Sequence, residues 1–128
     1  MQIGQRSVGP AHPVYVVAEL GINHNGSLSL AKELVHAAAE AGADAVKLQK
    51  RNVRAVFTQR ELERDYADWI GGGSTYGQYK QALELPWTSY EILIDEASRR
   101  GVDLGITFFD TASVEEYQAR YCDIQEKK

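Results

Sequence analysis

A chain of 128 residues holds one modest domain, and 44% hydrophobic with 25% charged residues is a folded composition rather than a disordered one. The net charge of −4 comes from interspersed acids and bases, so no basic stripe supports a nucleic-acid partner, and no apolar run approaches a membrane span. Cys122 is the single cysteine, which excludes an internal disulfide or thiolate cluster, fits a reducing cytoplasm and makes Cys122 itself a bystander.

Residues 1–10 carry no apolar core of the signal type. Residues 14–19, rich in β-branched side chains, predict a buried strand ending at Glu19. A turn-rich loop spans 21–26. Ser27 then has the chemistry of an N-cap, Leu30, Leu34, Val35 and Ala38 recur at helical spacing up to Ala41, and Gly42 stands where a helix ends. Residues 44–49 predict a second strand. Strand, helix and strand with short connections form a βαβ unit, so the two strands should be parallel.

Residues 50–86 are less regular: a charged segment at 60–68, glycines at 71–73, and a short helical candidate around Tyr76, Tyr79 and Leu83. A loop of such length inside a domain is usually functional or mobile. Thr88 to Glu91 fits a capping box before a helix carrying Ile92, Leu93 and Ala97. Gly101 punctuates that helix, residues 102–109 predict a third strand, and Asp110 to Ser113 opens a helix with Val114, Tyr117 and Tyr121 on one face. The tail from Cys122 to Lys128 turns polar without a fourth strand. The alternation is that of an α/β protein, either a doubly wound sheet or part of a (β/α)8 barrel.

Strand side chains alternate between faces. Val16 and Ala18, Val46 and Leu48, and Leu104, Ile106 and Phe108 make apolar faces suited to packing under helices. The opposite faces carry Glu19, Lys47, Gln49 and Thr107 near the C-terminal strand ends, where parallel α/β sheets place their ligands. Two readings follow. Glu19 and Lys47 form a structural ion pair, or Lys47 and Thr107 bind an anionic substrate. The loop with Asn23, His24 and Asn25 between Gly21 and Gly26 can hold an anion, although its spacing is not a dinucleotide fingerprint.

His24 reads either as a weak metal ligand or as a locally bonded loop histidine; His12 and His36 offer less. Asp44 and the acids Glu61, Glu63 and Asp65 read as solvated or capping groups, and Arg99 with Arg100 as a response to a helix dipole. Trp69, Trp87 and the tyrosines around Gly77 suit either a sugar-stacking wall or ordinary loop packing.

The stretch from Ala18 to Gly26, followed by Gly42 to Gln49, resembles the start of the sialic acid synthases, which make N-acetylneuraminate, legionaminate and pseudaminate. Ile3 to Gly9 and Thr75 to Lys80 are similar too, so the resemblance runs to about Val114. It implies the N-terminal part, residues 1–128, of a (β/α)8 TIM barrel without the family's C-terminal antifreeze-like domain. It also implies condensation of phosphoenolpyruvate with an N-acetylmannosamine-type sugar, aided by a divalent metal, manganese or magnesium. Lys47 would then contact the phosphoenolpyruvate anion, Thr107 would add a hydroxyl, Glu19 would act at the reacting centre, and Gln49 would face the sugar or the metal. Asn23 and His24 would line the substrate loop.

The family's usual Thr-Pro-Phe is Thr107, Phe108, Phe109 here, and its metal-binding histidines have no counterpart in this sequence. The chain is therefore expected to be inactive alone, and to form a homo-oligomer or complement a missing fragment. A self-associating anion-binding half-barrel and a structural remnant are the alternatives.

Overall fold

The computed structural model describes residues 1–4, 6–67 and 74–122. Asp68, Trp69, the glycines at 71–73 and the polar tail from residue 123 lie outside the described residues. The elements run β1 (Gln2–Ile3), β2 (Arg6–Ser7), β3 (Val17–Gly21), α1 (Leu28–Glu40), β4 (Ala45–Lys50), α2 (Val53–Val56) and α3 (Gln59–Leu62). There follow α4 (Tyr76–Ala82), α5 (Trp87–Arg99), β5 (Asp103–Phe108), α6 (Thr111–Tyr117) and a π-helical turn, Gln118–Cys122. A three-stranded parallel sheet has the order β3-β4-β5, as an α/β reading requires. Two units divide the chain: Met1–Leu48 with Leu85–Gly105, and Gln49–Glu84 with Ile106–Lys128.

In the first unit, β1 and β2 form a small antiparallel ribbon that the sequence pattern did not announce. β3 begins at Val17, three residues later than the β-branched run suggested. The cause is its partner. Val17 pairs with Ala45, so the residues before it have no ladder to join. Asp44 supplies the substitute, accepting from the Val16 N–H at 2.7 Å while the Val16 carbonyl accepts from Asp44 and Ala45. Asp44 also pairs with Arg6, so it is a structural anchor rather than a solvated acid. Val14 and Val16 consequently lie exposed.

Helix α1 starts as expected: the Ser27 side chain accepts from the Leu30 N–H, and Gly42 takes the left-handed φ of +84° beyond the C-cap. Its Ala31 and Val35 are buried, as are Tyr90, Leu93 and Ala97 of α5 and Val46 and Leu48 of β4. Full burial of one such aliphatic side chain contributes about 1.5–3 kcal/mol.

Helix α5 corrects a sequence expectation. Its N-cap is Pro86, which makes no side-chain cap bond, and Thr88 lies inside the first turn. Burial of Trp87, whose ring packs 5.4 Å from that of Tyr90, draws the helix start two residues earlier. Trp87 is thus core rather than sugar wall. At the other end, Arg99 and Arg100 pair with Asp95 and Glu96, contacts more specific than a dipole response. His36 of α1 lies 2.8 Å from Arg100 and 3.2 Å from Glu40.

In the second unit the short helix expected around Tyr76, Tyr79 and Leu83 is present as α4, and two further one-turn helices, α2 and α3, occupy part of the stretch read as less regular. Asn52 and Thr58 cap α2 and α3, and α4 carries a full capping box between Thr75 and Gln78. Gly77 lets α4 approach α3 closely: a Cβ there would sit 2.9 Å from the Leu62 carbonyl oxygen. Phe57, Tyr66, Tyr76 and Tyr79 pack ring on ring, with Arg64 and Lys80 over the Tyr76 face. Asp110 caps α6 as expected, accepting from the Ser113 N–H at 2.8 Å, and also takes the Asn52 N–H at 2.7 Å. Burial would raise the Asp110 carboxyl, but these bonds together hold it below the ordinary range.

Candidate functional site

At the C-terminal end of β3 the ladder slips. Glu19 pairs with Lys47, yet the next pair is Gly21 with Leu48, so Leu20 is an extra residue. Such a bulge bends a strand and re-aims the chain beside it. Gly21 then adopts φ +55°, a left-handed conformation that glycine tolerates best, and the loop closes through a series of turns. Asn23 donates its backbone N–H to the Leu20 carbonyl at 3.0 Å and stays exposed. His24 turns inward, 1% exposed, and its Nδ1 accepts from the Gly26 N–H at 3.1 Å. This is the locally bonded histidine among the two sequence readings.

Direct pairing across the parallel strands brings Glu19 and Lys47 together. The Lys47 Nζ lies 2.6 Å from the Glu19 Oε2, with the two side chains 41% and 50% exposed. Gly105 lies beside the lysine stem, where a Cβ would make an ordinary van der Waals contact of 3.6 Å with the Lys47 Cγ. The bland reading of a structural ion pair is therefore geometrically realised. Its exposure carries the other half of the answer. A pair this open contributes about 0–1 kcal/mol, so a ligand anion can take over the ammonium at little cost.

Gln49 and Thr107 belong to the second unit, both partly buried on β4 and β5. The Gln49 Oε1 accepts from the Arg51 Nη2 at 2.6 Å. Arg51 and its neighbours are the cluster that sequence reasoning missed. Arg51 is 9% exposed, its Nε lies 3.1 Å from the Glu84 Oε1, and its guanidinium sits 4.4 Å from the Phe109 ring centroid. Lys50 approaches the same carboxylate at 3.4 Å. The Glu84 side chain is 5% exposed, and burial pushes its carboxyl up; the Lys50 and Arg51 charges and the Arg51 N–H oppose that only in part. The available signal was faint: a lone acid between Leu83 and Leu85, thirty-three residues from its partner.

Among the described residues no group of three or more His, Cys, Asp or Glu could hold a metal ion. These residues do not fit a metal centre by themselves. No helix among them is long and apolar enough to cross a membrane. Cys122 is free and exposed.

Parallel βα units with polar groups at the C-terminal strand ends define the class: an α/β protein built as part of a TIM barrel. The solved structure of N-acetylneuraminic acid (sialic acid) synthetase from Leptospira borgpetersenii shares this fold with a TM-score of 0.71, over 90% of this chain and 36% of that one, at 23% identity. The NeuB family matches residues 34–125, and the chain belongs to that family. It is 36% identical over 110 residues to mouse N-acetylneuraminate-9-phosphate synthase, covering 86% of this chain and 31% of the relative. It is 35% identical over 113 residues to N,N'-diacetyllegionaminic acid synthase from Legionella pneumophila, covering 88% and 32%. The chain thus spans about a third of the length of these curated relatives.

Proposed function

We propose that the chain carries the phosphoenolpyruvate side of a nonulosonic acid synthase site and does not turn over alone. The observation that supports this most is the half-exposed Glu19–Lys47 pair at adjacent C-terminal strand ends of a NeuB-family sheet. In the reaction proposed, the enol carbon of phosphoenolpyruvate attacks the open-chain aldehyde of an N-acetylated mannosamine. Water then adds to the oxocarbenium carbon, and phosphate leaves. Lys47 holds the substrate anion, where a fixed ammonium offsets its charge. Glu19, released from Lys47 as the anion binds, stabilises the cationic centre or takes a proton from the water. Thr107 adds a hydroxyl donor, Gln49 meets the sugar, and Asn23 and His24 shape the loop beside Glu19. A divalent cation acting on the aldehyde would need ligands from outside the described residues.

Calorimetry with phosphoenolpyruvate should show binding that Lys47→Ala abolishes, and an assay with phosphoenolpyruvate, N-acetylmannosamine and manganese should show no turnover. Turnover above the Lys47→Ala control would overturn the inactive reading; absence of phosphoenolpyruvate binding would remove the site. Exposed Val14, Val16 and Val17 favour a second proposal, that the chain self-associates or pairs with a complementing barrel segment. A monomer in sedimentation of the same calorimetry samples would exclude self-association.

A further inference from the structure

Helix α6 needs one acceptor at its N-cap, and a serine, threonine or asparagine would supply it. Asp110 has two oxygens, and they bond to different parts of the chain. Its Oδ1 accepts the Ser113 N–H at 2.8 Å, which is the cap. Its Oδ2 accepts the Asn52 N–H at 2.7 Å, from 58 residues earlier, and the hydroxyl of the buried Ser113 at 2.9 Å. Asn52 in turn caps α2, its side-chain oxygen accepting from the Arg54 N–H at 3.1 Å. One residue before Asp110, the Phe109 N–H reaches the Lys50 carbonyl at 3.1 Å. The chain leaving β5 is thus tied to the chain leaving β4 at two points, one neutral and one charge-assisted. Thr107 stands three residues before Asp110, at the same strand end.

We propose that Asp110 is a positioning residue that, by clasping the Asn52 N–H, holds the end of β5 against the end of β4 and so fixes where the Thr107 hydroxyl meets the phosphoenolpyruvate anion. The proposal rests on the reading of Thr107 as a contact of that substrate. Asp110 touches no substrate itself, because both its oxygens are engaged within the protein. Capping of α6 explains one of those oxygens; the clasp explains the other.

The test uses the full chain labelled with nitrogen-15, with phosphoenolpyruvate as the probe. Asp110→Ser keeps a cap acceptor and lacks the second oxygen, whereas Asp110→Asn offers one neutral oxygen to two backbone donors. In both, the Asn52 amide proton should move upfield as its carboxylate partner is lost, and the Phe109 amide should exchange about tenfold faster. In calorimetry, Thr107→Val should weaken phosphoenolpyruvate binding about tenfold and Asp110→Ser about fivefold. Acting through Thr107, Asp110 adds nothing once the hydroxyl is gone, so the double variant should bind within about twofold of Thr107→Val. Losses that multiply in the double variant would overturn the proposal, since a general structural role or a separate contact gives that result. So would an Asn52 amide that keeps its wild-type position. Should Asp110→Ser fail to fold, Asp110→Asn carries the same cycle. A wild-type chain that does not bind phosphoenolpyruvate would refute the proposed function, and an unchanged Phe109 exchange rate would then separately refute the clasp.

Discussion

Lys47 and Arg51 lie close in sequence, and each meets a carboxylate under different conditions. The Glu19–Lys47 contact in the first unit is short but open to water, its partners 50% and 41% exposed. The Arg51–Glu84 contact in the second unit is longer, with side chains 9% and 5% exposed. Distance alone would rank the first as stronger. Burial reverses the ranking, because an open pair is screened and already solvated, whereas either buried partner left alone faces the full cost of desolvation. The open pair can exchange its partner for a ligand; the buried one can only hold geometry.

The largest test of this contrast is Glu84→Leu, which leaves Lys50 and Arg51 buried without their carboxylate. It should cost about 3–5 kcal/mol in urea denaturation, and a loss below about 1 kcal/mol would show that solvent already screens the cluster. A smaller effect lies in pH. Because burial raises the Glu84 carboxyl, the unfolded chain gives up this proton at lower pH than the folded one. The stability this group contributes is therefore fully present below the ordinary carboxylate value and is lost as pH rises through the raised folded value. Urea midpoints across that interval should fall in the wild type relative to Glu84→Gln, and parallel profiles would contradict the raised carboxyl. Smallest is Lys47→Ala, which should change stability by less than about 1 kcal/mol although it abolishes the proposed anion binding. A large loss of stability would make the open pair a structural one after all.

The sequence made much of the first unit legible, because its signals are local. Ser27, the helical spacing of Leu34 and Val35, Gly42 and the apolar run of β4 each sit within a few residues of the structure they specify. The start of β3 was not legible, since it depends on where β4 begins and not on the β propensity of Val14 to Val16. The capping box read at Thr88 was lost because the core demand of Trp87 took that threonine into the helix, while the box that forms, between Thr75 and Gln78, was not read from the sequence. Helices α2 and α3 span one turn each, too short for any periodicity to register. Strand alternation was enough to place Glu19 and Lys47 together, since they are directly opposed. Arg51 and Glu84 meet only after three helices have turned the chain back, so spacing in the sequence carries no trace of their contact.

Leu20, the extra residue of β3, makes the join between strand and loop a matter of counting. Up to Glu19 the two strands keep step, and after it the chain is one residue ahead. Replacing Leu20 with another apolar side chain of similar size preserves that count. Deleting it would let Gly21 follow Glu19 directly into its place opposite Leu48, removing the bulge with Glu19 still opposite Lys47. Variation by insertion or deletion at this point therefore changes the aim of the Asn23–His24 turn without altering the pairing of Glu19 with Lys47 beneath it, making chain length here a means of adjustment separate from residue identity.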